Sequence, residues 1–318
     1  MGTRLPPGSR ADAMTRLLQH CYGLTVDSEV PLPDLGPATS AGPADLVVRV
    51  GPLGAPPQGA TTLPMGLWRD TGVIGLHVPD TASYLARHGR EIVVDPVPGA
   101  DPRAVRLFLL GTMMGALLMQ REYLVLHGNA FRVGDACAAV VGRSGAGKST
   151  LAAELQRRGL DVLADDVVPI DRDGLAQPGY PRIKLWEDAV TRLGVDPAGL
   201  ERVAHAVEKY QLPIVRSRSE PLPLRWVYVL ERHEDPGLRI TPARGAETFA
   251  LLHEHTYRNE LIAGAGAVAE HLAQCARIAA QARVSRVTRP VRTMTAEATA
   301  DAILSDIAAR QDLTQESA

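Results

Sequence analysis

The run Val140-Val141-Gly142-Arg143-Ser144-Gly145-Ala146-Gly147-Lys148-Ser149-Thr150 constrains this chain more than any other stretch. It reads G-x-x-x-x-G-K-S between an apolar run and a helical one. Glycines let the backbone turn tightly enough to aim successive N–H groups at phosphate oxygens, and the helix that follows adds the positive end of its dipole. In such a loop the lysine, Lys148, reaches the β- and γ-phosphates and the hydroxyl of Ser149 ligates Mg²⁺. A chain with 29 glycines can meet an eight-residue pattern by chance, so the context decides. Ala136 to Val141 is a short β-like run. Lys148 to Arg158 sets Leu151, Ala152 and Leu155 on one helical face and stops at Gly159, a left-handed helix terminator. A strand, a turn and a helix in that order are the setting the phosphate-binding mechanism needs.

The 318 residues are enough for one large or two ordinary domains. A composition of 45% hydrophobic and 22% charged residues with a net charge of −2 is that of a soluble globular protein with no global pull toward nucleic acid or a membrane surface. Cys21, Cys137 and Cys275 lie too far apart for a metal-ligand spacing and read as buried thiols in a reducing compartment. No apolar run approaches the roughly 20 residues of a membrane-spanning helix, and the start has no secretory pattern. A cytoplasmic location is the expectation.

Along the chain, residues 1–21 read as a flexible tail, with a short helix at Ala11 to Gln19 as one option. Residues 22–121 form a β-rich lobe with a linking helix: short β-type runs at Leu24 to Val26, Asp45 to Val50, Leu67 to Arg69, Val73 to Val78 and Glu91 to Pro96, then a Met-rich helix over Asp101 to Gln120 that belongs in a core. The third division, 122–318, holds the chemistry. Tyr123 to Ala130 is a strand ending in His127-Gly128. Leu160 to Asp166 is a second strand ending in the adjacent acids Asp165 and Asp166, where a nucleotide enzyme needs metal-binding and proton-accepting groups; turn residues at a strand end are the other reading.

Farther on, Arg182 and Lys184 alternate with Ile183 and Leu185, so both cations share one strand face and either hold phosphates or line an exposed sheet. Leu224 to Leu230 is a strand, and its terminal Glu231 is a second metal-supporting candidate or a sheet-edge acid. Phe249 to Ile262 reads as helical and carries Arg258, either a surface residue or an arginine in cis at the γ-phosphate, a role worth roughly 10³ to 10⁵ in rate. His253 and His255 point to different helix faces and make no metal pair. An Ala-rich helix, a closing strand at Val284 to Met294 and a final helix capped by Thr295 complete the chain.

Taken together, His127-Gly128, the Gly142 to Thr150 loop, a helix ending Arg157-Arg158-Gly159 and Ala164-Asp165-Asp166-Val167 resemble the kinase domain of the HPr kinase/phosphorylase family over about 40 residues. The wider layout, with Tyr22-Gly23-Leu24, Ser28 to Pro33, Tyr180 to Trp186 and His255 to Arg258, is similar to stand-alone HPr-kinase-like proteins, some of which phosphorylate a serine in the tailoring of ribosomal peptides, lasso peptides among them. The resemblance implies an α/β fold of the P-loop kinase type, a mixed sheet flanked by helices, and ATP- and Mg²⁺-dependent transfer of the γ-phosphoryl to a serine or threonine hydroxyl of a peptide or small protein. On it, Gly142, Arg143, Ser144, Gly145, Ala146, Gly147, Lys148, Ser149 and Thr150 cradle the nucleotide, and Ser149 and Asp166 serve the metal. Asp165 accepts the hydroxyl proton and His127 supports the transferring phosphate, with Lys148 of the loop and, if it is not a surface residue, Arg258 as the cations that stabilise it. A hydroxyl is a weak nucleophile at neutral pH, which is why a positioned carboxylate is required. The family's Leu-Glu-x-Arg-Gly signature is replaced by Arg182 to Glu187, which argues against phosphorolysis and against the sugar-transport carrier as substrate. A small-molecule hydroxyl kinase and a non-enzymatic nucleotide-binding regulator are the alternatives; no nucleic-acid or membrane partner is expected, and an oligomer is compatible.

Overall fold

In a computed structural model the described residues, 18–38, 42–192, 196–204, 207–214, 220–234, 237–262, 265–290 and 295–315, form a mixed α/β structure of two large sheets and one small one, flanked by helices. The first sheet contains β1 (Gln19–Cys21), β2 (Leu24–Ser28), β3 (Gly36–Pro37), β4 (Leu46–Val50), β5 (Thr61–Thr62), β6 (Leu67–Asp70), β7 (Val73–Val78), β8 (Ala82–Arg87) and β9 (Glu91–Pro96), in the order β3-β1-β2-β4-β9-β8-β7-β6-β5. β5 to β9 make an antiparallel meander, and β4 runs parallel to both β2 and β9. Two sequence expectations change here. Gln19 to Cys21, placed in the tail, pairs with β2 and β3; the rest of the helix option at Ala11 to Gln19 lies mostly outside the described residues. β8 has the weak strand sequence Ala-Ser-Tyr-Leu-Ala-Arg and is held by full ladders on both sides, a tertiary override of low β-propensity.

The linking segment is one 19-residue helical run, Pro102–Gln120. Asp101 caps it by accepting the Arg103 N–H at 2.9 Å, with Pro102 in the first turn. Within it α1 (Pro102–Phe108) and α2 (Met114–Gln120) flank a π-helical turn over Leu109–Met113. By length and apolarity this run alone, among the described residues, could cross a bilayer, which corrects the expectation that none approaches that length. Here it is a core helix. Leu109, Met113, Met114, Leu117 and Leu118 are fully buried, as the methionine-rich stripe predicts. Its core is shared: Tyr84 and Ile92 of the first sheet, Met113 of the helix, and Val125, Val167 and Tyr257 from later in the chain belong to one apolar cluster.

The second sheet contains β10 (Leu124–Val133), β11 (Ala136–Gly142), β12 (Val162–Ile170), β13 (Leu175–Ala176), β17 (Leu222–His233), β18 (Arg239–Pro242) and β19 (Arg283–Pro290). Its order is β11-β10-β12-β13-β17-β19-β18, and β11 also lies parallel to β17, which is parallel to β19. The hairpin β10–β11 is completely buried along β11, where a run of small and β-branched residues lets helices cover both faces. α3 (Lys148–Arg157) and α7 (Ala296–Gln315) pack on one face through Leu151, Leu155, Ile303 and Ile307. α5 (Ala246–Glu254) and α6 (Ala265–Gln281) pack on the other through Leu251, Leu252 and Ile278. The small antiparallel sheet of β14 (Arg182–Trp186), β15 (Glu201–Ala204) and β16 (Val207–Pro213), with α4 (Glu187–Arg192) beside it, closes over Ala152 and Ala153 of α3. All three cysteines are buried and unbridged.

Strand ends differ from expectation where chemistry was placed. β10 continues six residues beyond His127, and β12 continues four beyond Asp166, because the two strands pair across the whole region, Gly128 opposite Asp166 and Asn129 opposite Asp165. The acids are therefore interior strand residues. Phe249 to Ile262 is α-helical only to Glu254; Arg258, with a left-handed backbone at φ 48°, precedes a short 3-10 turn at Asn259–Leu261. Residues 291–294 of the expected closing strand lie outside the described residues, and Thr295 caps α7 by accepting the Ala298 N–H at 3.1 Å.

Candidate active site

The loop from Gly142 to Gly147 joins β11 to α3. Gly147 has φ 93°, a backbone strained for any residue with a Cβ, and a Cβ there would also lie 2.5 Å from the end of the Arg289 guanidinium. Gly142 closes the strand, and Arg143, Ser144 and Gly145 are exposed at the turn while Ala146 is buried beneath it. Lys148 is buried at the first turn of α3, and its Nζ donates to the carbonyls of Gly142 at 2.7 Å and Arg143 at 3.2 Å. Burial lowers its pKa, against the pull of Asp166 and Asp165. Asn129, buried on β10, donates to the Lys148 carbonyl at 2.7 Å and so pins the start of α3 to the sheet.

The carboxylates of β12 face the loop. Asp165 is 4% exposed and accepts two hydrogen bonds, from the Ser149 hydroxyl at 3.2 Å and the Lys184 backbone N–H at 2.9 Å. Burial pushes it up to about 6, although both donors favour its charged form. Successive strand residues normally point to opposite faces, but Asp166 has φ 72°, a left-handed conformation that turns its carboxylate to the same side as its neighbour's. Lys184 of β14 holds it: Nζ donates to Oδ2 at 2.8 Å, with the lysine buried and the carboxylate partly exposed. Burial would raise Asp166, but Lys184 and then His127 outweigh it and keep it well below the carboxylate range. His127 Nδ1 lies 3.1 Å from the Asp166 carbonyl and 3.5 Å from its Oδ1. Burial, then Lys148, lowers the His127 pKa, so the neutral ring donates from Nδ1 and leaves Nε2 with its lone pair.

Two clefts meet at this cluster. The larger, about 750 Å³, runs along the loop and α3 past Ser149, Thr150, Asp165, Trp186 and Arg289. The smaller, about 550 Å³, lies between Phe108, Gly111 and Thr112 of the linking helix and the turn carrying Tyr257 and Arg258. His127, Asp166, Lys184 and Lys209 line both. The sequence-derived residues thus come together, with four exceptions in detail: the Arg143 side chain is exposed and ion-paired with Glu254 at 3.1 Å, and Arg258, Glu231 and Arg182 turn elsewhere. Arg258 lies in the smaller cleft, where it stacks on Tyr257 and reaches Thr112 at 3.5 Å and Glu260 at 3.7 Å, away from the loop. Glu231 is ion-paired with Arg286, so it is not a free carboxylate for a metal. Of the alternating cations only Lys184 enters the site; Arg182 turns to Asp34 at 3.5 Å.

Sequence reasoning passed over Asn129, Lys209 and Arg289. For Arg289 there was a signal: it continues the inward parity of Val287 on β19, where an apolar residue is expected. Ser149 and Asp165 together offer two hard oxygen donors, and among the described residues no group of three or more His, Cys, Asp or Glu is placed to cage an ion. Such a pair suits a cation that keeps most of its waters and takes phosphate oxygens for the rest.

No protein-family model matches the chain, and no curated protein matches it. Among solved structures, the HPr(Ser) kinase/phosphatase from Coxiella burnetii aligns over 60% of this chain and 98% of its own length, at 12% identity and a TM-score of 0.28. A superposition of that score carries no weight for topology or chemistry, and the chain is described by its own architecture: a mixed α/β protein whose large mixed sheets are flanked by helices.

Proposed function

We propose that the protein is an ATP-dependent phosphotransferase that moves the γ-phosphoryl group to a serine or threonine hydroxyl of a peptide or small protein. The observation that carries this reading is the pair of adjacent carboxylates with divided environments, one bonded to the loop serine and the other standing between the two clefts. On this reading the larger cleft takes the nucleotide, with the loop N–H groups and Lys148 on its phosphates. Mg²⁺ would be held by Ser149 and Asp165, and when bound it neutralises charge on the phosphates. The smaller cleft takes the acceptor.

Asp166, kept ionised by Lys184, accepts the hydroxyl proton as the acceptor oxygen forms its bond to Pγ; the bond from Pγ to the β-bridging oxygen breaks, and its electron pair leaves with ADP. His127 steadies the Asp166 backbone and presents Nε2 to the same space. This division exchanges the roles assigned to the two aspartates from sequence, and the Ser149–Asp165 contact is the reason. A ribosomal-peptide precursor is the acceptor suggested by the resemblance in the motifs.

Transfer of radiolabelled γ-phosphate to serine- and threonine-bearing peptides, precursor peptides included, tests the reading. Asp166→Asn is expected to lower kcat by about 10²- to 10⁴-fold with an unchanged Mg²⁺ requirement, whereas Asp165→Asn raises the Mg²⁺ concentration needed. No phosphorylated product with the wild type, across peptides and small hydroxyl compounds, would sink the proposal; equal transfer by wild type and Asp166→Asn would remove Asp166 as the proton acceptor.

A further inference from the structure

Arg289 is 8% exposed, yet among the described residues no carboxylate pairs with it. Its Nη2 donates to the Ala146 carbonyl in the phosphate loop, and among the described residues Nη1 makes only a long 3.5 Å contact to the Thr299 hydroxyl on α7 and the buried Nε has no partner. A second cation, Arg232, opposes its charge further. Both arginines line the larger cleft. Lys184 is paired there with Asp166, and Glu154 with Arg157 and Arg158; Glu297 lines the same cleft, but among the described residues no ion pair joins it to Arg289. A buried guanidinium without a counter-charge is costly to keep and is stable only where an anion completes it.

We propose that Arg289 is an anion-binding residue of the larger cleft that engages the phosphate chain of the bound nucleotide from the side of the loop opposite the sheet acids. The inference rests on the reading of that cleft as the nucleotide site and goes beyond it by assigning a residue that no phosphate-loop motif includes. The planar fork explains the choice of residue. One edge is fixed on the Ala146 carbonyl, which leaves other N–H groups for oxygen atoms, and a glycine at 147 is what allows the fork to lie against the backbone that also contacts phosphate. Arg258, the arginine that the sequence suggested for this task, faces the other cleft.

The test is displacement of a fluorescent ADP analogue from the full chain by MgADP, AMP and adenosine, with wild type, Arg289→Met and Arg289→Lys. The expected result is a loss of at least about tenfold in MgADP affinity for Arg289→Met, the scale of one hydrogen bond to a charged group, with adenosine displacement unchanged and Arg289→Lys in between. A loss below about twofold overturns the inference, as does an equal loss for MgADP and adenosine, which marks a displaced loop and not a lost phosphate contact. The melting temperature of the nucleotide-free variant gives a second check: it is expected to hold or rise, because an unpaired buried charge has been removed. Wild type that binds none of the three ligands refutes the nucleotide reading itself, and the Arg289 assignment with it; wild type that binds MgADP while Arg289→Met binds it equally well refutes the assignment alone.

Discussion

Replacing Lys184 by methionine removes the ammonium and keeps most of the apolar stem, so it isolates the ion pair with Asp166. The Nζ to Oδ2 distance is 2.8 Å, the Lys184 side chain is 9% exposed and Asp166 is 24% exposed. Breaking a fully buried pair costs about 3–5 kcal/mol, and the partial exposure of Asp166 reduces that to roughly 2–3 kcal/mol. The pH dependence identifies the cause. In the wild type Asp166 is held below the ordinary carboxylate pKa of about 3.9, so its contribution is complete above that pH and is lost only as pH falls below it. In Lys184→Met, burial still pushes Asp166 upward, now opposed only by His127 and Lys209. Its ionised form is then penalised at neutral pH, and the penalty is relieved as the pH falls toward the raised pKa. Urea unfolding followed by tryptophan fluorescence at pH 7.5 and pH 5.0 should give a difference of about 2–3 kcal/mol at the higher pH that shrinks by more than half at the lower. A difference below about 1 kcal/mol at pH 7.5, or one that is the same at both pH values, would show a loss of packing instead and refute the reasoning.

Asp165 works in the opposite direction. Burial raises it to about 6, so in metal-free protein it destabilises the fold increasingly as pH climbs from about 4 past 6; Asp165→Asn, measured in chelator, is expected to melt higher than wild type at pH 7.5, by about 1–2 kcal/mol after allowing for one weakened donor contact, and not at pH 4. A variant that melts lower at both pH values contradicts this. Gly115 packs against the Tyr257 ring, where a Cβ would come within 2.8 Å of a ring carbon, so Gly115→Ala should cost about 1–3 kcal/mol in thermal unfolding. Because that ring lines the smaller cleft, MgADP affinity in the larger one should not move; a loss there would mean that the two clefts are not independent.

Local signals carried the loop, its helix and the acid pair, because a phosphate-binding turn needs glycines and a lysine at fixed offsets, which are written contiguously. What was not legible depended on partners far along the chain. Lys184 is one of two cations on a strand face, and nothing near it tells it from Arg182; the choice is made by Asp166, 18 residues upstream, and by Asp34. β8 has little strand propensity of its own and exists because β7 and β9 pair with it. The acids read as a strand end because two adjacent charges usually stop a strand, whereas here the left-handed Asp166 lets both stay inside the ladder. Arg289 was missed for a related reason: its partner is the backbone of a loop 143 residues away.

The π turn at Leu109–Met113 sets a phase between the two halves of the linking helix. A π turn holds one residue more than an α turn, so the residues after it are rotated by about 100° relative to an unbroken helix. Val105 before it joins the core beneath the first sheet, and Gly115, two residues past it, meets the ring of Tyr257. Deleting one residue in this turn would keep a helix of nearly the same length but swing its second half off that ring, uncoupling the wall of the smaller cleft from the sheet that carries Asp166. The spacing of that cleft is thus recorded as a count of residues in the linking helix.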